Sequence, residues 1–336
     1  MAFIQGISLS SLGPIPFLSA KNLQNINLLI GGNGAGKTFL LKALYASLKT
    51  IEQYGRGQEL RSDKDILSNK LYWTFQSQLG GIVRKGDNNL SFRICSEKNE
   101  CFEFSFGIST TKQIQNLQNT FHKRETDNTV FIPAKEILSL RNIIIDSRNR
   151  YAEFGFDDPY LDLANALSPT YKGKNYKAFS EARQSLEDAI GGKLDYDTEK
   201  NQWLFRDTNR RVYEVSITSE GIKKLSILEL LLGNHYLSAN SVIIIDEIEA
   251  NLHPSMIDKF LKVIITLAQG GIQFFISTHS YFVIKNLYIL AHTEDIHIPT
   301  ISFESDGIRQ SDLHEEMPDN PIIRESINLY KREIDL

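Results

Sequence analysis

Short runs of continuous apolar sequence alternate with longer stretches at helical spacing. Ile26-Asn-Leu-Leu-Ile30, Val130-Phe-Ile132, Ser241-Val-Ile-Ile-Ile245 and Gln273-Phe-Phe-Ile276 are runs of the kind that parallel sheets bury on both faces. Phe3, Ile4, Ile7 and Leu9 alternate more loosely before Gly13-Pro14, which reads as two strands and a turn. From Lys37 to Leu48 the positions Phe39, Leu40, Leu41, Leu44, Tyr45 and Leu48 recur at helical spacing. Residues 55–66 are polar and read as a loose connection. Residues 80–107 read as antiparallel strands, Ile82-Val83, Leu90–Ile94 and Phe102–Phe106, around a turn at Gly86–Asn89. Residues 134–190 are mostly helical in pattern and close at Gly191-Gly192; strands follow at 194–196, 203–205 and 212–217, and helix returns at 222–232. A helix over Ser255–Ala268 between two of the apolar runs completes a βαβ unit. There is no internal repeat, and no heptad run is long enough for a coiled-coil arm. The pattern predicts an α/β fold.

Composition narrows this modestly. The 336 residues exceed the roughly 100–200 of a usual domain, so one large domain with an insertion or two packed lobes both fit. A net charge of −4 gives no global basic field to draw nucleic acid or anionic membrane. Cys95 and Cys101 are too few for a disulfide framework or a zinc site and are expected as two reduced thiols near a strand turn. The N-terminus lacks a signal-peptide pattern, and no stretch reaches the ~20 apolar residues that cross a bilayer, so the expected location is cytoplasmic.

The chemistry sits at the strand ends. Gly31-Gly32-Asn33-Gly34-Ala35-Gly36-Lys37-Thr38 fits G-x-x-x-x-G-K-[ST] between an apolar strand and an amphipathic helix. Glycines let backbone N–H groups turn inward around phosphates, and the helix N-terminus adds its dipole. Lys37 is expected to reach the β- and γ-phosphates and to have no ionic partner until they arrive, while Thr38 holds Mg²⁺. Asp246 and Glu247 end the strand Ile243–Ile245: the first suits the Mg²⁺ shell, the second the activation of a water. Thr278-His279 ends another strand, where a γ-phosphate sensor competes with a helix-capping histidine. Ser219-Glu220-Gly221 precedes a helix and is equally an anion contact or an ordinary cap. Tyr171-Lys-Gly-Lys-Asn-Tyr-Lys177, and Arg206, Arg210 and Arg211, are candidate nucleic-acid contacts, though a solvated surface is the favoured reading of both.

Together, Gly-x-Asn-Gly-x-Gly-Lys-Thr, Ser-Glu-Gly-x-x-Lys, Asp-Glu-x-Glu-Ala-Asn-Leu-His-Pro and Thr-His-Ser resemble the ABC-type ATPases, and more closely the SMC/RecF/OLD-like branch of "AAA ATPase domain" proteins found in bacterial anti-phage defence. Phe131-Ile-Pro-Ala-Lys-Glu136 and Phe156-Asp-Asp-Pro-Tyr160-Leu-Asp-Leu extend the resemblance through the middle of the chain. It implies a nucleotide-binding lobe with a mixed sheet over 1–133 and 234–336, and a mainly helical lobe with a small β element over 134–233 that carries the signature. It also implies ATP and Mg²⁺ as ligands, Glu247 and His279 as catalytic groups, and a head-to-tail homodimer. In that dimer Ser219 and Gly221 would meet the partner's γ-phosphate, and the Glu249–Pro254 stretch with Asn251 would cross the interface. Thr38 and Asp246 would hold the metal, with Glu136, Gln76 and Gln78 competing for the remaining metal-side position. Glu220 replaces the first glycine of the usual signature, and Ile248 stands where many relatives have proline. The cycle is expected to act on a separately encoded effector such as a nuclease or toxin. An ATP-gated scaffold or toxin inhibitor is the alternative, and a transporter subunit ranks below both. Nucleic acid is an open partner, and no membrane is expected.

Lys37→Ala is expected to abolish Mg·ATP binding and leave the fold intact; normal affinity by calorimetry in a well-folded variant rules the loop out.

Overall fold

Four apolar runs lie side by side in the computed structural model, which describes residues 3–122, 127–167, 177–200, 202–304 and 307–336. The chain begins with a hairpin, β1 (Ile4–Leu12) and β2 (Ile15–Ala20), followed by β3 (Ile26–Gly31), α1 (Lys37–Gln53) and α2 (Asp63–Phe75). Next come β4 (Asn89–Ser96), β5 (Cys101–Gly107), β6 (Asn116–Asn119) and β7 (Thr129–Ile132). Helices α3 (Arg141–Asn149), α4 (Asp158–Ala166) and α5 (Lys177–Ile190) precede β8 (Gly192–Asp197), β9 (Gln202–Asp207) and β10 (Val212–Glu214). The rest is α6 (Glu220–Gly233), β11 (Val242–Ile245), α7 (Pro254–Gln269), β12 (Gln273–Thr278), α8 (Tyr281–Thr293), β13 (Pro299–Glu304), β14 (Gly307–Asp312) and α9 (Pro321–Ile334).

The central sheet has the order β14-β13-β3-β12-β11-β7. All neighbours in it are parallel except the edge pair β13/β14. A second sheet, β2-β1-β4-β5-β6, is antiparallel, and β10-β9-β8 form a small third one. The apolar runs are continuous because both faces of the central sheet are covered. Leu28, Ile30, Ile243, Ile245, Phe274 and Ile276 face a core shared with α5, α6, α7 and α8. Leu29, Ile244, Phe275 and Ile301 face a second core shared with α1 and the antiparallel sheet. Alternation along each strand therefore sends the apolar side chains of both faces into a core.

Three local expectations change. Ile82-Val83 is not a strand: Leu79–Ile82 form a 3₁₀ turn, and a lone bridge joins Val83 to Leu12. The polar connection ends earlier than residue 66, because Ser62 caps α2 by accepting from Asp65 N–H. Asp63 and Asp65 thus make a helix start, where polar residues are favoured. The cysteines are not free thiols. The β4/β5 register sets Cys95 opposite Cys101, and they form a disulfide.

One internal contact set is ionic. The start of α4 reaches α1 and α2: Tyr45 donates its hydroxyl to Asp162, Lys42 pairs with Asp157 at 2.6 Å, and Arg148 pairs with Asp158. Lys70 lies 2.7 Å from Asp158 and 2.8 Å from Asp162. Burial alone pushes the Asp162 carboxyl up, but Lys70 and Lys49 beside it hold it down at about 2. The Asp-Asp-Pro-Tyr-Leu-Asp segment therefore fastens α4 to the helix that follows the glycine loop.

Lys70→Met removes the cation that both buried carboxylates share and leaves Asp158 to Arg148 and Asp162 to Lys49 and Tyr45. It is expected to destabilise the chain by about 3–5 kcal/mol, as breaking a buried pair does, read from urea unfolding at neutral pH. A loss below 1 kcal/mol means that Asp158 and Asp162 do not depend on it.

Candidate nucleotide-binding site

The glycine loop follows β3 directly. Gly34 and Gly36 have φ of 76° and 108°, the left-handed region that glycine enters without penalty. A side chain on Gly36 would also strike Ile15 at 2.6 Å. Gly36 caps α1 without a side-chain hydrogen bond, and the first turn of α1 carries no acid. Its leading N–H groups are therefore free for an anion. Lys37 departs from expectation. It is buried, and its ammonium donates to the carbonyls of Gly31 at 2.7 Å and Gly32 at 2.9 Å. Burial lowers its pKa, while Asp246, Glu247 and Glu249 raise it. The cation is solvated by its own loop, so a phosphate would add to or replace those carbonyls rather than find a bare charge.

Strand register brings the acids to this loop. Ile245 pairs with Ile276 on one side and Ile132 on the other, so Asp246 stands just beyond β11. Thr38 donates to its carboxylate at 2.9 and 3.2 Å, and Ser277 donates at 2.6 Å. Glu247 adopts φ 49°, a conformation that costs a non-glycine residue about 1–3 kcal/mol. Three hydrogen bonds hold the turn there: the Glu247 N–H donates to Ser277 Oγ at 2.8 Å, its carbonyl accepts from Lys224 at 2.6 Å, and Ile248 N–H donates to the Ser277 carbonyl at 3.2 Å. Burial pushes the Lys224 ammonium down to about 8, although Glu249, Asp246 and Glu247 oppose it. His279 Nδ1 is 3.9 Å from Glu247 and 3.2 Å from Glu249.

A cavity of about 390 Å³ covers residues 33–38 and is walled by Pro14, Phe39, Lys42, Phe75 and Glu247. The Phe39 and Phe75 rings lie 5.3 Å apart and give an apolar wall fit for the face of a base. Glu136 lines an adjoining cavity with Gln76, Tyr160 and Lys42. Its carboxylate accepts from Ser139 N–H at 3.1 Å and lies 3.7 Å from Lys223. Gln78 precedes the 3₁₀ turn. Ser219 caps α6 by accepting from Ile222 N–H at 3.3 Å. Gly221 lies against the turn of Asn251, whose carbonyl a side chain would meet at 3.0 Å. Ser219, Gly221 and Asn251 do not line the cavity over the glycine loop. Arg206 and Arg211 are paired with Asp195 and Asp207, each at 2.7 Å, which removes most of the basic character expected of that strand edge. Residues 171–176 and the Lys177 side chain lie outside the described residues.

The donor set suits Mg²⁺. Thr38 and Asp246 offer hard oxygens on one side, and no group of three His, Cys, Asp or Glu side chains among the described residues is placed to hold a metal alone. That is the pattern for an ion completed by phosphate oxygens and water. Ser277 and Phe75 carry no motif in the sequence, although Ser277 is the residue before Thr278-His279; Lys224 is the lysine of Ser-Glu-Gly-x-x-Lys, but its contact with the Glu247 carbonyl is not readable from that pattern.

A P-loop strand and an Asp-Glu strand with one parallel strand between them, joined to an antiparallel sheet and helices, define an ABC-type ATPase fold of the SMC-head kind. Residues 105–285, just over half the chain, match the family described as "AAA domain, putative AbiEii toxin, Type IV TA system", and the chain belongs to that family. Among solved structures, an SMC head bound to the C-terminal winged-helix domain of ScpA matches with a TM-score of 0.54 at 14% identity, over 92% of this chain and 97% of that one. An SMC head with an extended coiled coil, bound to the C-terminal domain of ScpA and derived from Pyrococcus furiosus, matches with 0.50 at 11% identity over 100% of both chains. The recombination mediator RecF with ATP matches with 0.45 at 14%, over 92% and 99%. No curated protein sequence matches the chain. No helix among the described residues is long and apolar enough to cross a membrane.

Lys224 gives a test with a definite sign. Its lowered value means that the folded chain sheds this proton near pH 8, whereas the unfolded chain keeps it to about 10.4. Between those values the unfolded state binds more protons, so stability from this group rises with pH; below about 8 the full cost of burying the cation applies. Wild type is therefore expected to gain about 2–3 kcal/mol on Lys224→Met between pH 7.5 and 10. Urea midpoints of both proteins at the two pH values check this; a constant difference refutes it.

Proposed function

We propose that this chain binds Mg·ATP on Gly31–Thr38, hydrolyses it slowly, and closes around it as a head-to-tail homodimer whose cycle controls a separately encoded effector, a nuclease or another toxin, in bacterial anti-phage defence or nucleic-acid processing. The observation that carries the reading is the contact of Thr38 with Asp246 beside Glu247, on a loop with free helix N–H groups. In this reading Lys37 and the loop N–H groups take the phosphates, and Phe39 and Phe75 face the base. Thr38 and Asp246 hold Mg²⁺, which offsets phosphate charge when bound. Glu247 borders the cavity and is half-exposed, as a group that takes a proton from water needs to be.

The dimer is supported by what the site lacks. Ser219 is exposed at the start of α6 and Gly221 is buried behind it against the Asn251 turn; both lie outside their own chain's cavity, so in this reading a second chain brings its γ-phosphate to the end of α6. The effector is supported by two resemblances: the family is described by a toxin, and the similar SMC head is bound to a domain of another protein. A nucleotide-dependent head can bias such a partner only by offering different affinity in its two states.

Glu247→Gln is expected to keep Mg·ATP binding and to slow hydrolysis by roughly 10²–10⁴-fold, the contribution of general-base catalysis. With ATP this variant should double its sedimenting mass, and the added Ser219→Arg change should hold it at the monomer. Wild-type turnover, or a mass indifferent to ATP, overturns the hydrolytic sandwich.

A further inference from the structure

We infer that Glu249 is the positioning residue for His279, holding its ring by Nδ1 and keeping it off Glu247. This rests on the reading of His279 as the group that meets the γ-phosphate. Glu249 is nearly buried, and its two oxygens gather the donors of the turn between β12 and α8. Oε2 accepts from the Thr278 hydroxyl at 2.8 Å. Oε1 accepts from the His279 main-chain N–H at 2.8 Å and lies 3.2 Å from His279 Nδ1. Thr278 in turn accepts from Ser280 N–H at 3.0 Å. One carboxylate thus fixes the backbone of the turn and stands beside the ring nitrogen that the turn carries.

The consequence is chemical. A carboxylate beside Nδ1 selects the ring form with a proton there and leaves Nε2 as the nitrogen for a ligand. His279 Nδ1 also has Glu247 within reach, at 3.9 Å. Without Glu249 the ring would turn its N–H to Glu247, the carboxylate proposed to activate water, and occupy the oxygen that water needs. Glu249 therefore does two jobs with one contact: it presents the sensor and leaves the base free.

The test uses the full chain with ¹⁵N-labelled histidine, and the His279 signal is assigned by its loss in His279→Ala. In wild type the ring is expected to carry its proton on Nδ1; Glu249→Ala should lose that preference and move toward the Nε2–H form usual for free imidazole. Glu249→Ala should also lower kcat about 10–100-fold, the usual effect of removing a group that orients a functional histidine, with KM for Mg·ATP within about threefold. Glu249→Gln still offers an acceptor to Nδ1 and should restore most of the rate. Adding Glu249→Ala to His279→Ala should cost no further rate, because Glu249 acts only through that ring. Should Glu249→Ala not fold, Glu249→Asp, one methylene too short to reach the ring, takes its place. An unchanged ring signal, or rate losses that multiply in the double variant, overturns the inference. A wild-type chain that never hydrolyses ATP overturns the hydrolytic reading instead, while the ring measurement on nucleotide-free protein still decides the role of Glu249.

Discussion

The whole site depends on the parallel register of β3, β12 and β11. Ile245 opposite Ile276, and Thr278 opposite Ile30, bring three chain segments far apart in sequence to one edge. Thr38, Asp246 and Ser277 then share a carboxylate within 2.6–3.2 Å. A slip of one residue in β11 would turn Asp246 to the opposite face and put an isoleucine against Thr38. The two apolar cores that clamp the sheet therefore stabilise more than the fold: they fix where the charges stand.

Around that edge, several ionisable groups are held away from water, and each is answered by backbone or by an opposite charge. Lys37 rests on two carbonyls, Lys224 on the carbonyl of Glu247, and Glu249 on N–H and hydroxyl donors. In a poorly solvated region such groups cost most when left unpaired, so the arrangement resists small displacements. It also joins α6 to the Asp-Glu turn, because Lys224 belongs to the helix that Ser219 caps. Through the Asp157–Asp162 segment α4 is joined to α1 in the same fashion. The helices between β7 and β11 are therefore not equivalent. α4 is fastened to the glycine-loop helix, whereas α5 contacts α6 and α7, so a lobe boundary that keeps α4 with the signature cuts across buried ion pairs.

What the sequence disclosed was what chemistry places within a few residues. The glycine loop, Asp246-Glu247 and Thr278-His279 are local patterns at the ends of local apolar runs, and the structure assembles them at one sheet edge. The α/β class followed from the same runs. Ser277, Phe75, the bond of Lys224 to the Glu247 carbonyl and the contact of Glu249 with His279 were not visible, because each acts across a strand pair or from another helix. The disulfide was missed for the same reason: two cysteines say little until a hairpin register sets them opposite. Ser62 could have been read as a cap, yet the polar run around it looked like a loop. Of the two readings of Ser219, the structure shows the helix cap.

The altered signature can be argued from charge. In the proposed dimer, glycine at the position of Glu220 would leave the approach to Ser219 neutral, and a carboxylate there would repel a partner's phosphate. Lys223 lies 2.8 Å from it, and both belong to the first turn and a half of α6, where the helix dipole also favours an anion. The same lysine lies 3.7 Å from Glu136, so it answers two carboxylates and offsets Glu220 only in part. Gly221, by contrast, is tight: the Asn251 carbonyl stands 3.0 Å from where a side chain would begin, so a larger residue there would have to push that turn. The glycine retained is the one packed against the Asn251 turn, and the residue in place of the other is a glutamate held by a lysine it shares with Glu136.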